Sequence, residues 1–236
     1  MEAEELLRRY AAGERDFTGI DLRESKLIDV QLTEINLRKA DLSGADLTRI
    51  DLQNAVLQDS KLICTNLNRA NLQNVSLYGA DLSGADLSEA DLTEANLMNA
   101  ISRNADLVKT ILIGTDLICT DLSGSNLTEA RLIGARLIGV KLIDANLTRA
   151  NFKCAVMEWA NLEGANLTRA NLFNVNFTGA KLMKANFFTA RVECTNFTEA
   201  NLTGAEFSVL SDVFAVTFKD TVMPNGNLQK ELKIWD

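Results

Sequence analysis

Carboxylates five residues apart recur along this chain, as Asp41 with Asp46 and Asp86 with Asp91. Two carboxyls that meet can divide general-acid and general-base work. Cys64, Cys119, Cys154 and Cys194 are candidate metal ligands or disulfide partners. Asn126, Asn146, Asn166 and Asn201 each open an Asn-Leu-Thr triplet, the form of a glycosylation acceptor. The chain lacks His altogether, which removes the commonest proton shuttle and the commonest metal ligand. No Cys-x-x-Cys pair occurs, so no metal and no cofactor is expected, and the thiols are expected to be free. One further stretch mixes charge with apolar residues, EARLIGARLIGVKLIDANL from Glu129 to Leu147. Whether any of these groups converge depends on the elements that carry them.

Those elements follow a beat of five. From Phe17 to Phe207 every fifth residue, called position i, is Leu in 30 of 39 cases and Phe in six; Ser102, Met157 and Val192 are the exceptions. Two residues before i, the 38 positions from Ile20 to Ala205 hold 23 Ala and otherwise Ser, Thr, Val or Ile. The residue between is Asp or Asn at 25 of 39 positions, and the register never slips. Five fits neither a helix nor a single strand. A chain that turns a corner every five residues points every i residue inward. Four such sides close a square coil of 20 residues, and coils stacked at ~4.8 Å build a rod of roughly 48 Å. Eleven of the 13 Gly, with Asn54, Asn74, Asn99, Asn104 and Asn174, lie at i+2, where a type II turn needs positive φ.

The tandem A(D/N)LXX pattern resembles the pentapeptide-repeat family, over residues 16–207. That resemblance implies an all-β solenoid, the right-handed quadrilateral β-helix. Residues 1–15 read as a short N-terminal α-helical cap, with Leu6, Leu7 and Tyr10 on one face and Gly13 to stop it. Residues 208–236 read as an irregular repeat and capping tail. There Asp212 breaks the beat, which resumes one residue late at Val216 and Phe218, and Leu228, Leu232, Ile234 and Trp235 are candidate covers. A solenoid end is bare core and unpaired backbone, so it is closed by a cap or by a second copy.

In such a coil the core is filled, and successive repeats face different ways. The Asp pairs therefore do not converge, and no enzymatic site is expected. Ser102 in place of a core Leu is expected to leave a small void costing a few kcal/mol, with Leu82 and Leu122 stacked on either side. The charge of −8 argues against direct nucleic-acid binding. No apolar run reaches membrane-spanning length and the opening residues are charged, so a cytoplasmic protein is expected.

Each wall is named here by its first i residue. Formal charge spreads as −1, −1, −2 and −2 over the Leu22, Leu27, Leu32 and Phe17 walls, with −1 at each end. Some members of the family imitate DNA and inhibit gyrase, which calls for a continuous negative stripe. Here Arg49, Arg69, Lys109, Arg149 and Arg169 run along one column. DNA mimicry thus stays the alternative, with a passive scaffold as a third reading. The residue after i is apolar at Ile113 and Ile133 on the Leu32 wall, and at Tyr78, Met98, Ile118 and Ile138 on the neighbouring Phe17 wall. Arg131, Arg136, Lys141 and Ile143 border them. An apolar patch rimmed by cations reads as a protein-binding surface. Within the family, this length, unbroken register and single C-terminal break are similar to cyanobacterial members that regulate heterocyst differentiation. That implies a protein partner, the master transcriptional regulator of heterocyst development, whose inhibitory peptide signal would be disturbed. The rod is expected as a monomer or as a dimer through its C-terminal end.

Overall fold

The corners are made by one repeated turn. In almost every repeat the amide of residue i+3 donates to the carbonyl of i, as from Ala40 to Leu37 at 3.1 Å. All 38 residues at i+2 from Gly19 to Gly204 have φ between 52° and 71°, and only 11 of them are Gly. With a single positive φ at the third turn residue, these are turns of the type II class. Arg, Glu, Lys, Cys, Thr and even Trp159 therefore sit in the left-handed region. That conformation costs roughly 1 kcal/mol or more for a residue with a Cβ, and the ladder of inter-coil hydrogen bonds offsets it.

The Asp or Asn before each i residue has a definite task. All 25 of them accept a hydrogen bond on Oδ1 from the backbone amide two residues on. This Asx motif fixes the start of every corner and satisfies an outward amide. Where Ser or Thr follows i, its hydroxyl often donates to the same oxygen, as Thr128 does to Asn126 at 2.6 Å.

The computed structural model describes residues 3–207, 214–230 and 233–235. The chain winds into a right-handed quadrilateral β-helix. Parallel bridges join residues 20 apart, from Asp16 with Asn36 to Lys181 with Asn201, so each coil is one rung. The i residues and their small partners fill the interior, and Leu82, Leu122 and Leu162 show no exposure. Toward the C-terminal end Phe replaces Leu and the rings stack coil on coil: Phe177 on Phe197 and Phe197 on Phe218, each with centroids 5.4 Å apart.

One belt of the core is polar. Thr110, Thr115, Thr120 and Ser125 occupy four successive small positions, one full circuit, and are buried. The three Thr hydroxyls donate to the carbonyl 23 residues earlier, at Leu87, Leu92 and Leu97, while the Ser125 hydroxyl lies between the Leu122 and Ser102 carbonyls and is nearer to Leu122. Above this belt Ser102 is buried and its own Oγ has no partner. The turn bond from Ala105 to its carbonyl is also absent. The replaced Leu thus leaves an unpaired hydroxyl; the missing turn bond is shared with the corner at Leu27, where position i is an ordinary Leu.

Each end of the coil carries an added element. Helix α1, Ala3–Ala11, lays Leu6 fully on the core, with Leu7 and Tyr10 partly buried beside it. Gly13 ends it at φ 95°. The amide of Glu14 donates to Arg9 and that of Gly13 to Tyr10, the paired bonds of a Schellman cap. The Tyr10 hydroxyl donates to the Thr33 carbonyl and ties the helix to the first coil.

At the other end β1 (Asn186–Phe187) and β2 (Glu206–Phe207) still pair in the 20-residue register. Beyond them Asn196 pairs with Thr217 and Asn201 with Val222, now 21 apart. The extra residue therefore lies between Phe207 and Phe214; Asp212 is outside the described residues. β3 (Val216–Phe218) and β4 (Thr221–Val222) continue the coil. The tail then reverses: β5 (Leu228–Gln229) pairs antiparallel with β4, and β6 (Lys233–Trp235) with β3. Two sides of the last coil are thereby paired with backbone, which protects edges that would template a further strand. Leu228, expected as an apolar cover, is instead 51% exposed. Its contribution is the antiparallel pairing, which needs only the main chain. Leu232 is outside the described residues.

Candidate protein-interaction surface

Three consecutive repeats, Arg131–Ile133, Arg136–Ile138 and Lys141–Ile143, stand where Asp or Asn would make the Asx motif. A basic side chain cannot accept, so the fold forgoes three hydrogen bonds, each worth roughly 1 kcal/mol net. The wall positions stay regular: Leu132, Leu137 and Leu142 are fully buried, as elsewhere. The substitution therefore affects only the outer surface.

The structure places the sequence-identified residues on three adjoining walls. Ile113 and Ile133 stack one coil apart on the Leu32 wall. Tyr78, Met98, Ile118 and Ile138 form a four-coil ladder on the Phe17 wall, and Ile143 lies round the next corner. The Ile and Met side chains are half-buried against their neighbours in the stack, while Tyr78 is 42% exposed. Part of each side chain is thus spent on stabilising the rod, and the outer half remains for contact. Between the two main walls the corner is Gly114 and Gly134, and a Cβ at Gly134 would meet nothing within 4 Å. A partner can approach backbone there.

The three cations differ. Arg136 pairs with Asp116 at 2.7 Å, and Lys141 reaches Asp121 at 3.6 Å. Asp121 is 6% exposed and also takes Arg103 at 2.7 Å. Its burial would raise the carboxyl, but hydrogen bonds from Arg103 and Ser123 outweigh that and hold it at about 2. Arg131 is exposed and has no carboxylate in ion-pair range among the described residues.

The column of Arg49, Arg69, Lys109, Arg149 and Arg169 is not the basic stripe that the spacing suggests. Acids in the same column pair with three of its five cations: Arg49 with Asp29, Arg69 with Glu89 and Arg149 with Glu129. Acids interspersed among the bases at the coil spacing leave neither a continuous negative stripe nor a continuous positive one. The paired Asp residues are likewise separate, since Asp41, Asp46, Asp86 and Asp91 each serve their own turn. The four cysteines are free, and no group of His, Cys, Asp or Glu among the described residues could hold a metal ion. No helix among them is long and apolar enough to cross a membrane.

The family model for pentapeptide repeats matches in eight copies, over segments that run from residue 16 to 187. The chain belongs to the pentapeptide-repeat family. Among solved pentapeptide-repeat structures it is similar to HetL, involved in heterocyst differentiation regulation, from the cyanobacterium Nostoc sp. Strain PCC 7120. The two are 34% identical over 97% of this chain and all of that one, with a TM-score of 0.80. QnrB1, a plasmid-mediated fluoroquinolone resistance protein, is 16% identical over 88% of each chain at a TM-score of 0.41, too distant to carry an argument. No curated protein sequence matches.

Several exposed apolar residues of this pentapeptide-repeat chain escaped the sequence reading, among them Phe188, Phe214 and Trp159. Trp159 is 60% exposed at an i+2 position, and its ring lies over Gly179 one coil on. It borders the Phe17 wall one coil beyond Ile138. The signal was legible: at a position read only for Gly and Asn, a Trp in the left-handed region is a costly choice.

Proposed function

We propose that this protein is a non-enzymatic interaction rod of the cyanobacterial cytoplasm that regulates heterocyst differentiation. It does so by binding the master transcriptional regulator of that process and interfering with the regulator's inhibitory peptide signal. In this reading residues 1–15 and 208–236 serve as caps, and 16–207 are the rod that presents the partner surface. The end-to-end likeness to HetL supports the biological setting. The observation that carries the surface is local: three consecutive repeats give up the Asx hydrogen bond for Arg or Lys beside Ile, around three walls. Tyr78, Met98, Ile113, Ile118, Ile133, Ile138 and Ile143 supply the apolar contact, and Arg131, Arg136 and Lys141 the polar rim. The charge pattern does not favour DNA mimicry, because charge is spread over all four walls and the acids of one corner column are paired with its own arginines.

Titration calorimetry of the purified regulator against the rod tests this. Binding is expected, and the inhibitory peptide should compete with it. Ile133→Asp with Ile138→Asp should abolish binding while leaving the circular-dichroism spectrum unchanged. Undiminished binding by that variant would remove the surface from consideration.

A further inference from the structure

The Leu32 wall differs from the other three in its lower half. From Ile111 to Asn174 its outward residues include Arg131 and Lys153 and not one carboxylate. Neither cation has an ion pair among the described residues. Lys153 instead lies over the Phe173 ring at 5.7 Å. Ile111, Ile113 and Ile133 complete a flat apolar floor. By contrast the Phe17 wall at the same height carries Asp116 and Glu158. On the Leu32 wall carboxylates come only from the strip's upper edge, where Glu94 lies over Gly114 and Asp91 feels the charge of Arg131; on a chain of net charge −8, a strip whose own outward residues carry two cations and no acid stands out electrostatically.

From these observations we propose that this strip is the seat of an acidic, leucine- or phenylalanine-bearing segment of the partner protein. The inference rests on the interaction-rod reading and names the partner's chemistry. Apolar side chains of the segment lie on the isoleucine floor, and its carboxylates meet Arg131 and Lys153. Four coils at ~4.8 Å give a strip of about 19 Å, the length of a helix of about 12 residues. The bare corner at Gly134 lets the segment continue onto the Phe17 wall. Nucleic acid fits less well: two unneutralised cations are few for a phosphate backbone, and the remaining surface repels it.

Fluorescence anisotropy with a labelled peptide of about 12 residues, glutamate on one helical face and leucine on the other, tests the proposal. The acidic peptide should bind saturably, and its lysine-for-glutamate counterpart at least about tenfold more weakly. Arg131→Glu with Lys153→Glu should reverse that order. Lys26→Glu with Lys39→Glu makes the same charge change elsewhere and should leave it intact. All four positions point outward, so circular dichroism should show folded variants; Arg131→Gln with Lys153→Gln gives the milder version. Equal binding of the two peptides, no saturable binding of the acidic one, an unaffected Arg131→Glu/Lys153→Glu variant, or displacement by a duplex oligonucleotide would each overturn the proposal. The two readings can fail apart. If Ile133→Asp/Ile138→Asp abolishes regulator binding but the acidic peptide does not bind, only the present inference is lost. If the regulator never binds, the peptide result still decides this strip.

Discussion

Arg131→Asn should make the protein more stable and worse at its task. In the structure Asn at every comparable position, such as Asn151 directly below, accepts the amide hydrogen bond two residues on. Arginine cannot, and Arg131 forms no ion pair that its loss would break. The gain is therefore one Asx hydrogen bond, about 1 kcal/mol. For a chain of this size that is a rise in melting temperature of roughly 2–4 °C, readable by thermal denaturation followed by circular dichroism. The same variant should weaken partner binding, since the cation is lost from the rim. The reverse change, Asn151→Arg, should lower stability by a similar amount. A melting temperature that falls or stays fixed in Arg131→Asn would show that arginine serves the fold there. The argument from a forgone hydrogen bond would then collapse, and with it the main reason for placing the surface on these repeats.

Three further outcomes are expected. Ser102→Leu should raise the melting temperature, because it removes an unpaired buried hydroxyl and buries an aliphatic side chain worth roughly 1.5–3 kcal/mol; a fall would mean that the backbone has already closed the space. Thr110→Val, Thr115→Val and Thr120→Val together keep the shape but delete three of the four bonds of the polar belt. They should cost about 2–3 kcal/mol in denaturant titrations, and no loss would show that the belt is only tolerated. Asp121 has its folded value lowered to about 2 from 3.8, so its contribution is complete above about pH 4 and is lost as pH falls through 2. The stability gap between wild type and Asp121→Asn should therefore shrink over that window, and a gap independent of pH would refute the assignment.

The fold was legible because its core spells itself in one letter. A Leu or Phe every fifth residue with Ala two before it admits few chain paths, and the square coil is the one observed. The turn residues were legible only in part. Gly and Asn flagged the corners, yet all 38 corners are left-handed whatever residue occupies them, because the stacked coils impose the conformation. Asp and Asn before each Leu were visible as a habit, but their reason, the Asx bond, needed coordinates. The Ser and Thr of the belt passed as small residues, since size alone admitted them. The ion pairs of the Leu27 wall were within reach of sequence: Asp29 with Arg49 and Arg69 with Glu89 are 20 apart, one coil, but only the cations of that column were read. The antiparallel tail had no period to betray it.

These gaps share a cause that also supports the proposed surface. Positions i, i−2 and i−1 are committed to core, corner and Asx bond, and the coil repeats their demands without regard to what faces solvent. Recognition is left to i+1 and i+2, with i−1 drawn in only where its hydrogen bond is surrendered. An Ile at i+1 alone says little, because β-branched residues stack well on any wall. A basic residue at i−1 says more, because it forgoes a bond that all 25 Asp and Asn residues make. Elsewhere such losses are scattered, as at Lys61 or Lys181. At Arg131, Arg136 and Lys141 they are consecutive, each beside an Ile and two of them beside a Gly corner, on three walls at one height of the rod. Such a run of three basic residues at one height supports the proposed docking surface, because nothing in the core or corner demands it.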